Sequence, residues 1–171
     1  MARLWAAAHL NAAKIRFDSG DWNGAAEQYG AAVEVDPGYG QARWRRIYAL
    51  NLAGRSRAAA EEGAEILERF PDSWRVRLHT GLALALGARR DEARAQLESI
   101  AGEASAPEDV ASAARWYLDR LGTAEEVEVL ARYRGVTSRG RRPRSRRPTR
   151  RLPLRPRPGR HRPGRRRGPI R

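Results

Sequence analysis

Small and apolar residues return at three- and four-residue spacing from Arg3 to about Asp18, and again from Trp22 to Val35, the period of an α-helix. Ser19-Gly20 separates the two stretches, since glycine tolerates the left-handed conformation that ends a helix. Asp36-Pro37-Gly38 stops the second, because proline has no N–H for the helical ladder and restricts the residue before it. The same two patterns follow over about 40–53 and 56–69, closed by Phe70-Pro71-Asp72, and a third pair covers about 73–87 and 90–101. Beyond the polar linker GEASAPED come a helix over about 107–121 and a last one that opens at Thr123 and ends near Arg134. Thr123 and Glu126 stand three apart, the spacing of a capping box. No segment alternates with a period of two, so the pattern predicts an all-α fold.

The pairs also repeat. Gly20 recurs as Gly54, Ala25 as Ala59 and Ala93, and Pro37 as Pro71, each step being 34 residues. A fixed period of that size indicates stacked repeats. Adding 34 gives a turn column of Gly20, Gly54, Ala88 and Gly122 and a close-contact column of Ala25, Ala59, Ala93 and Val127. A small column within the first helix reads Ala13, Ile47, Gly81 and Arg115. Small side chains let helix backbones approach, and the apolar positions Leu50, Leu84, Leu118, Ala32, Ile66 and Ile100 would fill the seams between pairs.

Paired helices at this period, with a small residue midway along the first, Gly at the turn, Ala early in the second and Pro after it, resemble the tetratricopeptide repeat family. The resemblance implies a right-handed α-solenoid of antiparallel helix pairs over residues 1–134, three repeats followed by a divergent capping pair. Some positions depart from the family pattern. Arg16 and Arg115 occupy apolar or small columns, and His9, Arg43 and Arg77 stand where the family prefers a bulky apolar residue.

The resemblance also implies a binding surface, because the family lines its concave face with the first helix of each repeat. Carried over by column, that ladder is Leu10, Lys14 and Phe17, then Trp44, Tyr48 and Asn51, then Leu78, Leu82 and Ala85, then Ser112, Trp116 and Asp119. Arg75 adds a cation. Aromatic side chains with scattered cations suit a peptide or helix that brings apolar anchors and some acid. A plainer reading has Leu78, Leu82 and Leu86 packing on neighbouring helices and Trp44 filling a seam. One variant of the family grips a C-terminal carboxylate with Lys, Asn and Arg. Here Lys14 and Arg75 are candidate cations, but Tyr48, Arg45 and His79 replace the remaining groups, so that specificity is not expected.

Charge divides the chain in two. Residues 135–171 carry sixteen Arg and no acid, a net of +16 against +14 for the whole chain, which leaves the first 134 residues at −2. A tail of Arg, Pro and Gly has too little apolar surface to fold and is expected to be disordered. Its clusters, Arg141, Arg142, Arg146, Arg147, Arg165, Arg166 and Arg167, would attract nucleic acid or another polyanion. With no aromatic residue there to stack on bases, such binding would ignore sequence. The same composition arises when a GC-rich gene is read in another frame, and both readings stand.

Little chemistry is indicated. There is no Cys, so disulfides and thiolate sites are excluded. His9, His79 and His161 lack metal-ligand spacing, and Gly38-Tyr39-Gly40 lacks the continuation of a dinucleotide loop. No metal, cofactor or catalytic residue is expected. No apolar run approaches the ~20 residues of a membrane span, and the chain is expected to be soluble and cytoplasmic. The expected function is a non-catalytic scaffold for a protein or peptide partner. The alternatives are a nucleic-acid-associated protein acting through its tail, or a fragment of a larger regulator or enzyme.

Overall fold

The computed structural model describes residues 2–138, which form eight α-helices. These are α1 (Ala2–Asp18), α2 (Trp22–Val35), α3 (Gly40–Leu52), α4 (Ser56–Arg69), α5 (Trp74–Leu86), α6 (Arg90–Ala101), α7 (Glu108–Leu118) and α8 (Glu126–Ser138). No strand occurs among the described residues. The arginine clusters expected to bind polyanions, Arg141, Arg142, Arg146, Arg147, Arg165, Arg166 and Arg167, lie outside them.

The turn residues carry the 34-residue period into the backbone. Gly20, Gly54, Ala88 and Gly122 have φ of 80°, 76°, 61° and 85°. The left-handed conformation therefore recurs at each step even where the residue is alanine, for which it is strained. At the first of these turns Asp21 caps α2: its carboxylate accepts from the Gly24 N–H at 3.0 Å and pairs with Arg16 at 2.8 Å. Both contacts favour the ionised acid, so Asp21 is held below the usual carboxylate range, chiefly by the backbone bond.

Each helix up to α7 packs on its neighbours in sequence, and α3 also touches α5 while α5 touches α7. The small residues sit in these contacts. Ala25, Ala59 and Ala93 are fully buried, as are Ala13 and Ile47. Gly63 on α4 lies so close to α5 that an added Cβ would stand 3.0 Å from Thr80 Cβ. Gly81 on α5 meets Leu97 of α6 in the same way, at 3.3 Å. One continuous core runs from Ala13 on α1 through Ile47, Leu50, Val76 and Leu84 to Ala93 on α6. A second, of Leu78, Leu97, Ile100, Val110 and Ala114, ties α5 and α6 to α7.

Arg43 and Arg77, which break the apolar columns, have a shared job. Arg43 Nη1 donates to the Pro37 carbonyl at 3.1 Å, and Arg77 Nη2 donates to the Pro71 carbonyl at 2.8 Å. Those carbonyls belong to the turns that join one pair of helices to the next. Each guanidinium also lies over an aromatic ring, Arg43 over Phe70 at 3.6 Å and Arg77 over Trp74 at 4.6 Å. A long side chain with an apolar stem can thus fill an apolar column and still satisfy a turn.

The period breaks at α8. Val127, the column equivalent of the buried alanines, is 74% exposed. Helix α8 lies against α3 instead of pairing with α7, and its side chains also reach α5 and α6. Its start differs from a regular capping box by one position. Thr123 Oγ1 accepts from the Glu125 N–H at 3.2 Å, and Glu126 reaches back to the Gly122 N–H at 2.7 Å.

Candidate functional site

Helices α1 and α3 leave a cleft of about 220 Å³ between them, floored by Tyr29 of α2. Lys14, Phe17 and Asp18 form one wall, and Trp44, Arg45 and Tyr48 the other. The walls are placed by helical periodicity: Lys14 and Asp18, and Trp44 and Tyr48, are each four residues apart and share a face. Phe17 and Tyr48 meet across the cleft with ring centroids 5.5 Å apart. Arg45 lies 5.2 Å from the Trp44 ring, and its charge beside Tyr29 offsets part of the rise in that phenol's pKa caused by burial. Lys14 is exposed and has no ion-pair partner among the described residues.

Four residues expected on a binding face, Lys14, Phe17, Trp44 and Tyr48, therefore come together. Leu10 is half-buried beside them against the main core. The others do not line the cleft. Leu78 belongs to the core under α7, and Leu82 packs with Leu52 and Tyr133. Asn51 is fully buried, and Ala85 is also buried. Arg75 is exposed but engaged, pairing with Asp109 at 2.9 Å and lying 5.5 Å from the Trp44 ring. Trp116 is 41% exposed at the far end, edge-on to Tyr117 and covered by Arg120. Ser112 and Asp119 are exposed on α7 and at its C-terminal end, away from the cleft.

Next to the cleft, and sharing Tyr48 with it, is a second aromatic group. His79 of α5 stacks on Trp44 at 5.5 Å and on Tyr48 at 5.0 Å. Tyr133 of α8 comes down edge-on to Tyr48 at 5.4 Å. Its hydroxyl lies 3.1 Å from His79 Nδ1 and 3.4 Å from Asn51 Nδ2, while Asn51 Nδ2 also donates to the His79 carbonyl at 3.0 Å. Burial, then the nearby Arg75 charge, lowers the His79 pKa from 6.5 to about 4. The ring is therefore neutral near pH 7; the Tyr133 hydroxyl accepts from Asn51 Nδ2, and its bond with His79 Nδ1 takes the direction that the imidazole tautomer sets. Burial raises the Tyr133 phenol well above its usual value, and that of neighbouring Tyr117 to about 12.

Asp18, Tyr29, Arg45 and Tyr133 are the contributors that repeat arithmetic does not find. Tyr29 is on a second helix and Tyr133 on the helix that leaves the period. The signal for Tyr133 lies within α8 itself, where Glu126, Val129, Leu130 and Tyr133 fall at i, i+3, i+4 and i+7.

A larger hollow of about 530 Å³ lies between α2 and α4, with Glu34, Glu61, Glu62, Glu65, Arg43 and Arg46 among its lining residues. Within the lining Arg46 pairs with Glu62, and Glu61 pairs with Arg57 beyond it. Among the described residues, no group of three or more His, Asp or Glu is placed to hold a metal ion, and no helix is long and apolar enough to cross a membrane. Comparisons with protein families, curated proteins and solved structures find no match. What the cleft itself offers is stacking surface, one unpaired ammonium and a guanidinium: the means to hold a ligand.

Proposed function

We propose that residues 1–134 are a right-handed α-solenoid of the tetratricopeptide kind, and that the chain is a non-catalytic scaffold. Its inner face, formed by α1, α3 and α5, holds a peptide or helix of a partner protein. The solenoid reading is supported by the left-handed backbone recurring at Gly20, Gly54, Ala88 and Gly122 and by the buried alanines Ala25, Ala59 and Ala93. The observation that carries the binding reading is the open cleft in which Lys14, Phe17, Trp44 and Tyr48 converge with Tyr29 and Arg45. Aromatic and arginine side chains at a concave surface commonly supply most of a binding energy. The unpaired Lys14 favours a partner segment with a carboxylate beside an apolar anchor.

The test compares affinity capture by the full chain and by a full chain carrying Trp44→Ala and Lys14→Glu, with helicity checked by circular dichroism. Partners captured by the first and lost from the equally helical second place binding at the cleft. An unchanged set of partners removes the cleft from the proposal.

A second reading rests on the +16 charge of residues 135–171. Non-specific DNA or RNA binding through that stretch would weaken steeply with salt, the log–log slope growing by about 0.9 for each phosphate neutralised. If a chain ending at Ser138 binds as well as the full chain across salt, this reading fails.

A further inference from the structure

We propose that the face lined by Tyr48, Asn51, His79 and Leu82 is a receptor for an amphipathic helix carrying an acid, an apolar residue and a tyrosine at positions i, i+3 and i+7. Helix α8 fills it from within the chain, and a partner helix of the same pattern takes its place. This rests on the scaffold reading above and states what kind of partner the face accepts.

Helix α8 displays the ligand chemistry directly. Glu126, Val129 and Tyr133 are only 6%, 7% and 9% exposed, and Leu130 is half-buried between them. Val127, Glu128 and Ala131 on the other side are exposed. One buried stripe at i, i+3, i+4 and i+7 is how an amphipathic helix lies in a groove. Each anchor has its own receptor. Glu126 takes two bonds from Arg90 Nε, at 2.9 and 3.0 Å, and one from the Gly122 N–H. Val129 and Leu130 lie with Leu82, Ala85 and Leu97 around a small apolar hollow. Tyr133 packs with Leu52 and Leu82, turns its edge to Tyr48, and places its hydroxyl between Asn51 and His79. The hydroxyl makes the socket selective, because without it the buried Asn51 amide and His79 nitrogen each lose a partner.

The attachment is also of the kind that can exchange. Each of α2 to α6 is packed against both of its neighbours in sequence, whereas α8 does not pair with α7 and is held through the side chains of its one buried stripe on α3, α5 and α6. The turn before it, Gly122 to Glu125, is exposed, and Gly122 has a left-handed φ of 85°. A helix tethered this closely competes at an effective concentration on the order of millimolar, so a separate helix of equal intrinsic affinity binds the intact chain weakly. Weakening α8 then raises the affinity for its replacement.

The experiment uses a fluorescent synthetic peptide with the sequence of residues 122–138, titrated by anisotropy into the full chain and its variants. The Tyr133→Ala chain is expected to bind at least ~10-fold more tightly than the unaltered chain, since the competing helix is weakened. On that variant, a Tyr133→Phe peptide should bind several-fold more weakly, and a Tyr133→Ala peptide far more weakly still. Adding His79→Ala to the variant chain should remove the gain. A Tyr133→Ala chain that binds no better than the unaltered chain, or a Tyr133→Ala peptide that binds as well as the parent, overturns the proposal. Should Tyr133→Ala fail to fold, the Tyr133→Phe chain keeps the ring and loses only the hydroxyl contacts. It is expected to gain about 3-fold, and no gain there overturns the proposal equally. A concentration-dependent dimer of the unaltered chain, abolished by Tyr133→Ala, would make a second copy the occupant and overturn the partner-helix form. If this peptide fails to bind while partners sensitive to Trp44→Ala are still captured, only the present inference falls; if neither binds, the scaffold reading falls with it.

Discussion

Ala88 is the one non-glycine residue with a positive φ among those described, and its strain has a measurable consequence. A left-handed conformation costs an L-residue about 1–2 kcal/mol. Ala88→Gly relieves it at the price of a more flexible unfolded chain, and the net expectation is a stabilisation of about 0.5–1 kcal/mol in urea unfolding. Gly54→Ala is the reverse experiment. Nothing lies within 4 Å of the Cβ it would add, so the expected loss of about 1 kcal/mol comes from the backbone alone. Equal, opposite shifts would show that the turn column is conserved in geometry where it is not conserved in residue.

His79 supplies a pH dependence. In the folded chain it takes up its proton only near pH 4, whereas the unfolded residue does so near 6.5. The unfolded state therefore binds more protons between these values, and stability falls as the pH drops through that window. At 1.36 kcal/mol per unit the ceiling is ~3 kcal/mol. Tyr48 and Tyr133 face the ring as neutral groups and Arg75 as a cation, so no carboxylate among them offsets the effect. Thermal unfolding of a His79→Gln variant should lose this part of the acid sensitivity. An unchanged pH profile would mean that the ring is not shielded as described.

At the scale of elements, close approach of helices depends on positions that have no side chain. Gly63→Ala would drive a Cβ into Thr80, which is itself held by its hydroxyl bond to the Val76 carbonyl at 2.8 Å. The expected destabilisation is about 1–3 kcal/mol, read from denaturant unfolding, and a neutral result would mean that α4 and α5 are farther apart. The helices themselves were readable in the chain because their breaks are chemically marked. Glycine at 20 and 54 and proline at 37 and 71 punctuate the apolar periodicity of the first two helix pairs, and the observed ends fall within a few residues of those marks. Helix α8 was readable as a helix but not in its place. Column arithmetic assigns Val127 to a buried contact, yet the turn through Gly122 to Glu125 sends α8 onto α3, and its buried stripe is then set by Glu126, Val129 and Tyr133. Local periodicity holds within a helix, while the 34-residue period holds only as long as pairs keep stacking.

For the whole molecule, the same contrast separates the legible part of the site from the rest. Lys14, Phe17, Trp44 and Tyr48, which the family resemblance put on one face, come together because the cleft lies between the first helices of adjacent pairs. Asn51, Leu78 and Leu82 were put on that face too, but α8 and α7 cover them, and no column predicts which part of a face the chain will use for itself. Helices α1, α3 and α5 thus carry an open aromatic and cationic cleft at the N-terminal end and a socket already holding Tyr133, with Tyr48 common to both. The hollow between α2 and α4 is larger, and within its lining Arg46 pairs with Glu62. The most direct measurement places a photo-activated crosslinking residue in the full chain, in cells, at position 14 in the cleft or at position 65 in the hollow between α2 and α4. A discrete adduct from position 14 alone, abolished by Trp44→Ala, is the predicted result; an adduct formed equally or only from position 65 would contradict it.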